Sequence, residues 1–110
     1  MPVPLHQAKA DLFRTLGHPV RVRVLELLQD RPRPVHELLA EIEVEPSNLS
    51  QQLAVLRRAG IVVSSREGGT VLYSLGTSDV ADLMQAARRF LTDLLADQER
   101  LLTELRTGSG

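Results

Sequence analysis

At Gly60 the spacing of apolar residues changes from helical to alternating, and few folds accept that switch within so short a stretch. Before it, Glu45 to Gly60 reads EPSNLSQQLAVLRRAG, with Leu49, Leu53 and Leu56 at i, i+4 and i+7 on one helical face. After it, Ile61 to Arg66 and Thr70 to Leu75 are runs of β-branched and aromatic residues with a period of two. Gly68 and Gly69 between them can adopt the positive φ that a two-residue hairpin turn demands. A short helix running straight into a β-hairpin is the expected local structure.

The helix has chemical stops at both ends. Pro46 suits the first helical position, Val44 can pack on Leu49 as a hydrophobic staple, and Gly60 suits the left-handed residue after the C-terminus. Opposite the leucine stripe lie Ser47, Gln51, Ala54 and Arg58, flanked by Asn48 and Ser50. Polar residues on a helix are by default a solvated face. Here no acidic residue occurs from Ser47 to Arg66, so nothing in the segment would repel phosphate. With a basic hairpin following, the segment reads as a helix that enters a DNA groove beside a wing. Ser47, Asn48, Ser50 and Gln51 are expected to read base edges, because hydroxyl and carboxamide groups both donate and accept there. Gln52 points nearer the buried stripe by helical angle and is divided between core and base reading. Arg57, Arg58 and Arg66, with Thr70 across the turn from Arg66, are expected on the DNA backbone.

The remaining elements are helices. Leu5, Ala8, Leu12, Phe13 and Leu16 recur at helical spacing until Gly17. His18 and Pro19 open a second helix, about Val20 to Gln29, apolar over more than one face and so expected in the middle of the core. Arg21 and Arg23 on it are candidates for a pair with Glu26, with DNA backbone contact the lesser reading. DRPRP at 30–34 reads as a stiff connector, and Val35 to Ile42 as a brief helix turning through EVEP into the segment already described. Two short helices joined by a tight turn, the second polar outward, have the helix-turn-helix pattern.

Ser78 to Arg106 is the longest helical stretch, with Ser78 placed to cap it. Val80, Met84, Ala87, Leu91, Leu94, Gln98, Leu101 and Leu105 alternate steps of four and three along it. Each large apolar side chain gains roughly 1.5 to 3 kcal/mol on burial, and a winged core from Val20 to Gly76 is too small to cover them all. The outer helices are therefore expected to pack against a second copy, through Leu5, Leu12, Leu16, Met84, Leu91, Leu94 and Leu101. The overall expectation is a mainly α chain with a β-hairpin: a winged helix-turn-helix of five helices and a two-stranded wing, dimerising through its first and last helices. Residues 1–107 form one DNA-binding and dimerisation domain, and 108–110 a flexible tail.

FRTLGHPVRVRVLELL, SNLSQQLAVLRRAGIV and REGGTVLYSL together closely resemble the ArsR family of winged-helix bacterial transcription regulators. The resemblance covers Ala8 to Leu105. It implies a homodimer that binds an inverted-repeat, double-stranded DNA operator and represses until an inducer releases it. Carried over by position, it places Ser47, Ser50 and Gln51 on bases, Asn48 close by, and the wing from Arg66 to Thr70 on backbone or minor groove. Many members sense metals through cysteines on the third helix or Asp and His on the last. This chain departs from both patterns, since its third helix reads VHELLAEI and its last carries Asp79, Asp82, Asp93 and Asp97 without a His. No inherited metal site and no cofactor are expected, and the inducer is unknown.

Composition excludes several classes. With no Cys there is neither a disulfide framework nor a thiolate metal site. His6, His18 and His36 fall on three different elements without ligand spacing, so separate structural roles are expected. No Ser/His/Asp arrangement is evident, and EGG is a hairpin turn rather than a phosphate loop, so no enzyme is expected. A net charge of −1 announces no nucleic acid by itself. Distribution is more telling, because the acidic excess lies in the last helix and leaves the middle free to be basic. Without a membrane-length apolar run or a signal-peptide pattern, a cytoplasmic location is expected. Two other readings stay open: a winged-helix protein–protein interaction module, and a metal sensor with a non-standard His/carboxylate site.

Overall fold

The computed structural model describes residues 2–108. The order is α1 (Leu5–Leu16), α2 (Pro19–Leu27), β1 (Arg33–Pro34), α3 (Val35–Glu41), α4 (Pro46–Arg58), β2 (Val62–Glu67), β3 (Thr70–Leu75) and α5 (Ser78–Thr107). These are the five helices and hairpin expected. Of the tail at 108–110, Gly108 closes α5 in the left-handed conformation, and the rest lies outside the described residues.

The core sits where α2, α3 and α4 meet the first residue of the wing. Val24, Leu25, Leu38, Leu49, Leu56 and Val62 are fully buried there, with Leu28, Leu53 and Ile61 nearly so. All three stripe leucines of α4 are thus inside, as their spacing requires. α2 begins at an N-cap made by His18, whose Nδ1 accepts from the Val20 N–H at 3.2 Å. That gives His18 a helix-starting role.

The sheet has three strands, not two, in the order β1-β3-β2 and antiparallel throughout. Arg33 and Pro34 pair with Tyr73 and Leu72. DRPRP is therefore not only a connector. Pro34 is tolerated because β1 is an edge strand, where a missing N–H leaves no ladder bond broken. Arg33 holds this edge in place, its Nε donating to the Leu27 carbonyl at 2.6 Å. The wing itself is a regular hairpin from Val62↔Leu75 to Glu67↔Thr70. Gly68 and Gly69 take φ of 59° and 82°, so a two-residue turn closes it without strain.

Two elements carry far less burial than their apolar content would require. α1 buries only Leu16, and α5 buries none of its thirty residues fully. Val80, Leu83 and Met84 at the start of α5 lean on the core, while the residues from Gln85 to Thr107 are exposed. At 1.5 Å per residue α5 is about 45 Å long, and the subunit extends 62 Å along its longest axis. Ser78 is its first residue rather than its cap. Thr77 occupies the cap position in extended conformation, without a side-chain bond. Among the described residues no helix is long and apolar enough to cross a membrane.

Candidate nucleic-acid interface

The polar face of α4 is solvent-exposed and rigidly mounted. Ser47, Ser50, Gln51, Arg57 and Arg58 are all exposed, and Asn48 and Gln52 are half-buried. At its start, Pro46 occupies the first position after Glu45. At its end, the Ile61 N–H donates to the Leu56 carbonyl at 3.0 Å and the Gly60 N–H to the Arg57 carbonyl at 3.0 Å. With Gly60 at φ 76° this is a Schellman motif, and buried Leu56 and Ile61 supply its apolar pair. The motif turns the chain out of the helix and into β2 within three residues. Helix and wing therefore hold a fixed relation to one another.

A second clamp fixes that relation, and sequence reasoning missed it. Gly76 donates its N–H to the Ile61 carbonyl at 2.8 Å, tying the exit of β3 to the entry of β2. A Cβ at Gly76 would sit 2.3 Å from the Gly60 carbonyl oxygen. Only glycine allows the hairpin's base to lie this close to the end of α4. Its sequence signal is slight, a single glycine after a strand where any turn residue would serve.

Arg57, Arg58 and Arg66 enter none of the ion pairs that the described residues form. Arg66 and Thr70 are exposed near the tip of the wing, in β2 and β3 beside the Gly-Gly turn. Acid stays at the margins of this surface: Glu45 before α4 and Glu67 at the wing tip are both exposed. By contrast, most other arginines are paired. Arg14 bonds Asp11, Arg23 meets Glu26 at 3.7 Å, and Arg100 bonds Asp97. Arg31 makes a two-pronged bond to Glu37 at 3.0 and 3.2 Å, which holds the Glu37 carboxyl below its ordinary value.

Gln52 is engaged inside the subunit. Its Oε1 accepts from Arg21 Nε at 2.8 Å and its Nε2 donates to Asn48 Oδ1 at 2.9 Å. Ser47, Ser50 and Gln51 have no such ties. Arg21 also binds inward, donating to the Thr15 carbonyl at 3.0 Å, so it faces α4 rather than open solvent. Helical periodicity carries no information about this pairing, because Arg21 and Gln52 lie 31 residues apart.

The residues expected at a subunit seam divide in two. Leu5, Leu12, Leu91, Leu94 and Leu101 are exposed, together with Phe13, Phe90, Leu95, Leu102 and Leu105. Leu16 is instead only 7% exposed and belongs to the subunit's own core, and Met84 is half-buried against that core. Both sit at the inner ends of their helices, where α1 and α5 rejoin the rest of the chain. Among the described residues no three His, Asp or Glu side chains gather as metal ligands.

A helix-turn-helix whose second helix presents an acid-free polar face, followed at once by a hairpin, defines a winged helix-turn-helix protein. Residues 18–64 match the model of the bacterial regulatory proteins of the ArsR family. The chain is 49% identical to the HTH-type transcriptional regulator Rv0081 of Mycobacterium tuberculosis over 96% of its own length and 93% of that protein's. The crystal structure of Rv0081 superposes with a TM-score of 0.80, covering 88% of this chain and 98% of that one. The biofilm growth-associated repressor of Agrobacterium fabrum is 37% identical over 78% of this chain and 77% of its own. The homodimeric winged helix-turn-helix domain of Mb0332 from Mycobacterium bovis is 26% identical, with a TM-score of 0.67 over 86% of this chain and 83% of that one. The chain belongs to the ArsR family, whose members are transcriptional regulators rather than enzymes.

Proposed function

We propose that two copies of this chain form a transcriptional repressor that reads an inverted-repeat DNA operator. The observation that carries the reading is the exposed, acid-free face of α4, clamped at a fixed angle to a wing with an unpaired arginine near its tip. Ser47, Ser50 and Gln51 read base edges, with Asn48 beside them and Gln52 supporting from behind. Arg57, Arg58, Arg66 and Thr70 hold phosphates and set the register. Repression is the sense in which the Agrobacterium relative is named.

The free apolar faces of α1 and α5 call for a second copy. Leu5, Leu12, Leu91, Leu94 and Leu101 together would each gain roughly 1.5 to 3 kcal/mol on burial, and the Mb0332 domain is itself a homodimer. A two-fold axis through such a seam presents the two α4 helices to successive major grooves, about 34 to 36 Å apart. In-vitro selection from randomised duplexes tests partner, specificity and symmetry together. The expected product is a pair of inverted half-sites one helical turn apart. Recovery of duplexes with no common sequence would overturn the reading.

A further inference from the structure

Three side chains behind the exposed face of α4 form a directional hydrogen-bond chain. Arg21 Nη1 donates to the Thr15 carbonyl and Nε to Gln52 Oε1, while Gln52 Nε2 donates to Asn48 Oδ1. A guanidinium carries donors and no acceptor. Gln52 must therefore turn its oxygen toward Arg21, which leaves its amide nitrogen for Asn48. Asn48 must in turn point its own oxygen back at Gln52, so its Nδ2 hydrogens are the end of the carboxamide turned outward. The bond that sets this order is charge-assisted and half-buried, and at 2.8 Å it is the shortest of the three. Reversing either carboxamide would set donor against donor.

We propose that Arg21 and Gln52 are positioning residues that fix the polarity of Asn48, so that Asn48 offers the major groove donors only. This rests on α4 being the groove-entering helix. A freely turning asparagine can grip adenine through one donor and one acceptor, at N7 and N6. A fixed one cannot. It selects a base whose groove edge carries acceptors, guanine or thymine, and rejects cytosine, whose edge offers the N4 donor. The relay also starts at the last turn of α1, the helix with the exposed apolar face.

The test is competition binding of the full-length protein to its selected duplex with each of the four bases at the position that Asn48→Ala identifies. Wild type is expected to favour guanine or thymine over cytosine by about fivefold or more. Gln52→Glu is nearly isosteric and keeps a partner for Arg21, but its carboxylate has acceptors alone. Asn48 must then turn its nitrogen inward and its oxygen outward, so the preference should reverse toward cytosine or adenine. Arg21→Met removes the anchor and should flatten the preference, while Arg21→Lys, still a donor, should largely restore it. A general weakening of α4 would lower affinity for all four bases alike and would not reverse their order.

The proposal is overturned if Gln52→Glu keeps the wild-type order, or if Asn48→Ala alters preference at no position. If thermal melting shows Arg21→Met unfolded, Gln52→Glu decides alone. A wild-type protein that binds every duplex equally would instead overturn the groove reading beneath it, and the two failures are thus distinct.

Discussion

Replacing Gly76 with alanine tests whether wing and recognition helix are locked together. The added Cβ would lie 2.3 Å from the Gly60 carbonyl oxygen and 3.2 Å from that of Ile61. Ordinary contact begins near 3.4 Å, so the first is short by about 1 Å, more than a side-chain adjustment absorbs. Neither oxygen is free to retreat. Ile61 accepts the Gly76 N–H, and Gly60 belongs to the Schellman turn that ends α4. Overpacking of this kind costs roughly 1 to 3 kcal/mol, and the upper half of that range applies because the obstacle is backbone. For a domain of this size that is a fall in melting midpoint of about 8 to 12 °C. Gly69→Ala is the control. Its Cβ meets open space, and only the φ of 82° is unfavourable, at about 1 to 2 kcal/mol. Gly76→Ala should thus lose more stability than Gly69→Ala, and the two differ in where they disturb the fold. Amide NMR should show Gly60, Ile61 and Val62 moving in Gly76→Ala, and only the turn moving in Gly69→Ala. A Gly76→Ala protein that melts within about one degree of wild type, with those amides unmoved, would refute the reasoning.

The other expectations follow from the exposed faces and the ion pairs. Arg58→Ala and Arg66→Ala should each weaken binding to all duplexes and reduce the log–log salt slope by about 0.9, whereas Gln51→Ala should relax base preference and leave the slope unchanged. Leu91→Glu combined with Leu94→Glu places charge on the free face of α5 and should give a folded monomer by sedimentation, with loss of operator binding. The Arg31–Glu37 pair predicts a pH dependence: with its folded pKa lowered, Glu37 contributes stability above its ordinary value of 4.5, lost as pH falls through the folded value. Arg31→Met should therefore be less stable than wild type near pH 7, and the difference should shrink as pH falls below 4.5.

Periodicity made much of this molecule legible. Leu49, Leu53 and Leu56 could only share a face, and Gly60, Gly68 and Gly69 stood where the backbone needs positive φ. Length and apolar content marked α5 as a helix too long for its own subunit. What escaped was set by contacts between distant segments. The pairing of Arg33–Pro34 with Tyr73 and Leu72 depends on β3 offering an edge, and two residues carry no periodic signal. The bond from Arg21 to Gln52 engages a side chain whose helical angle left it divided between core and bases. Leu16 belongs to the apolar face of α1 by spacing, yet the turn at Gly17 folds it into the core. Pattern locates faces, and which neighbour covers each face is settled only by the three-dimensional arrangement.

The central claim, that two α4 helices held at a fixed separation enter successive grooves, is tested most directly by inserting half a helical turn of base pairs between the half-sites of the selected operator. The half-sites then lie on opposite sides of the duplex, and a rigid dimer can engage only one. Affinity should fall to that for a duplex with a single half-site. Undiminished affinity for the lengthened operator would contradict the claim.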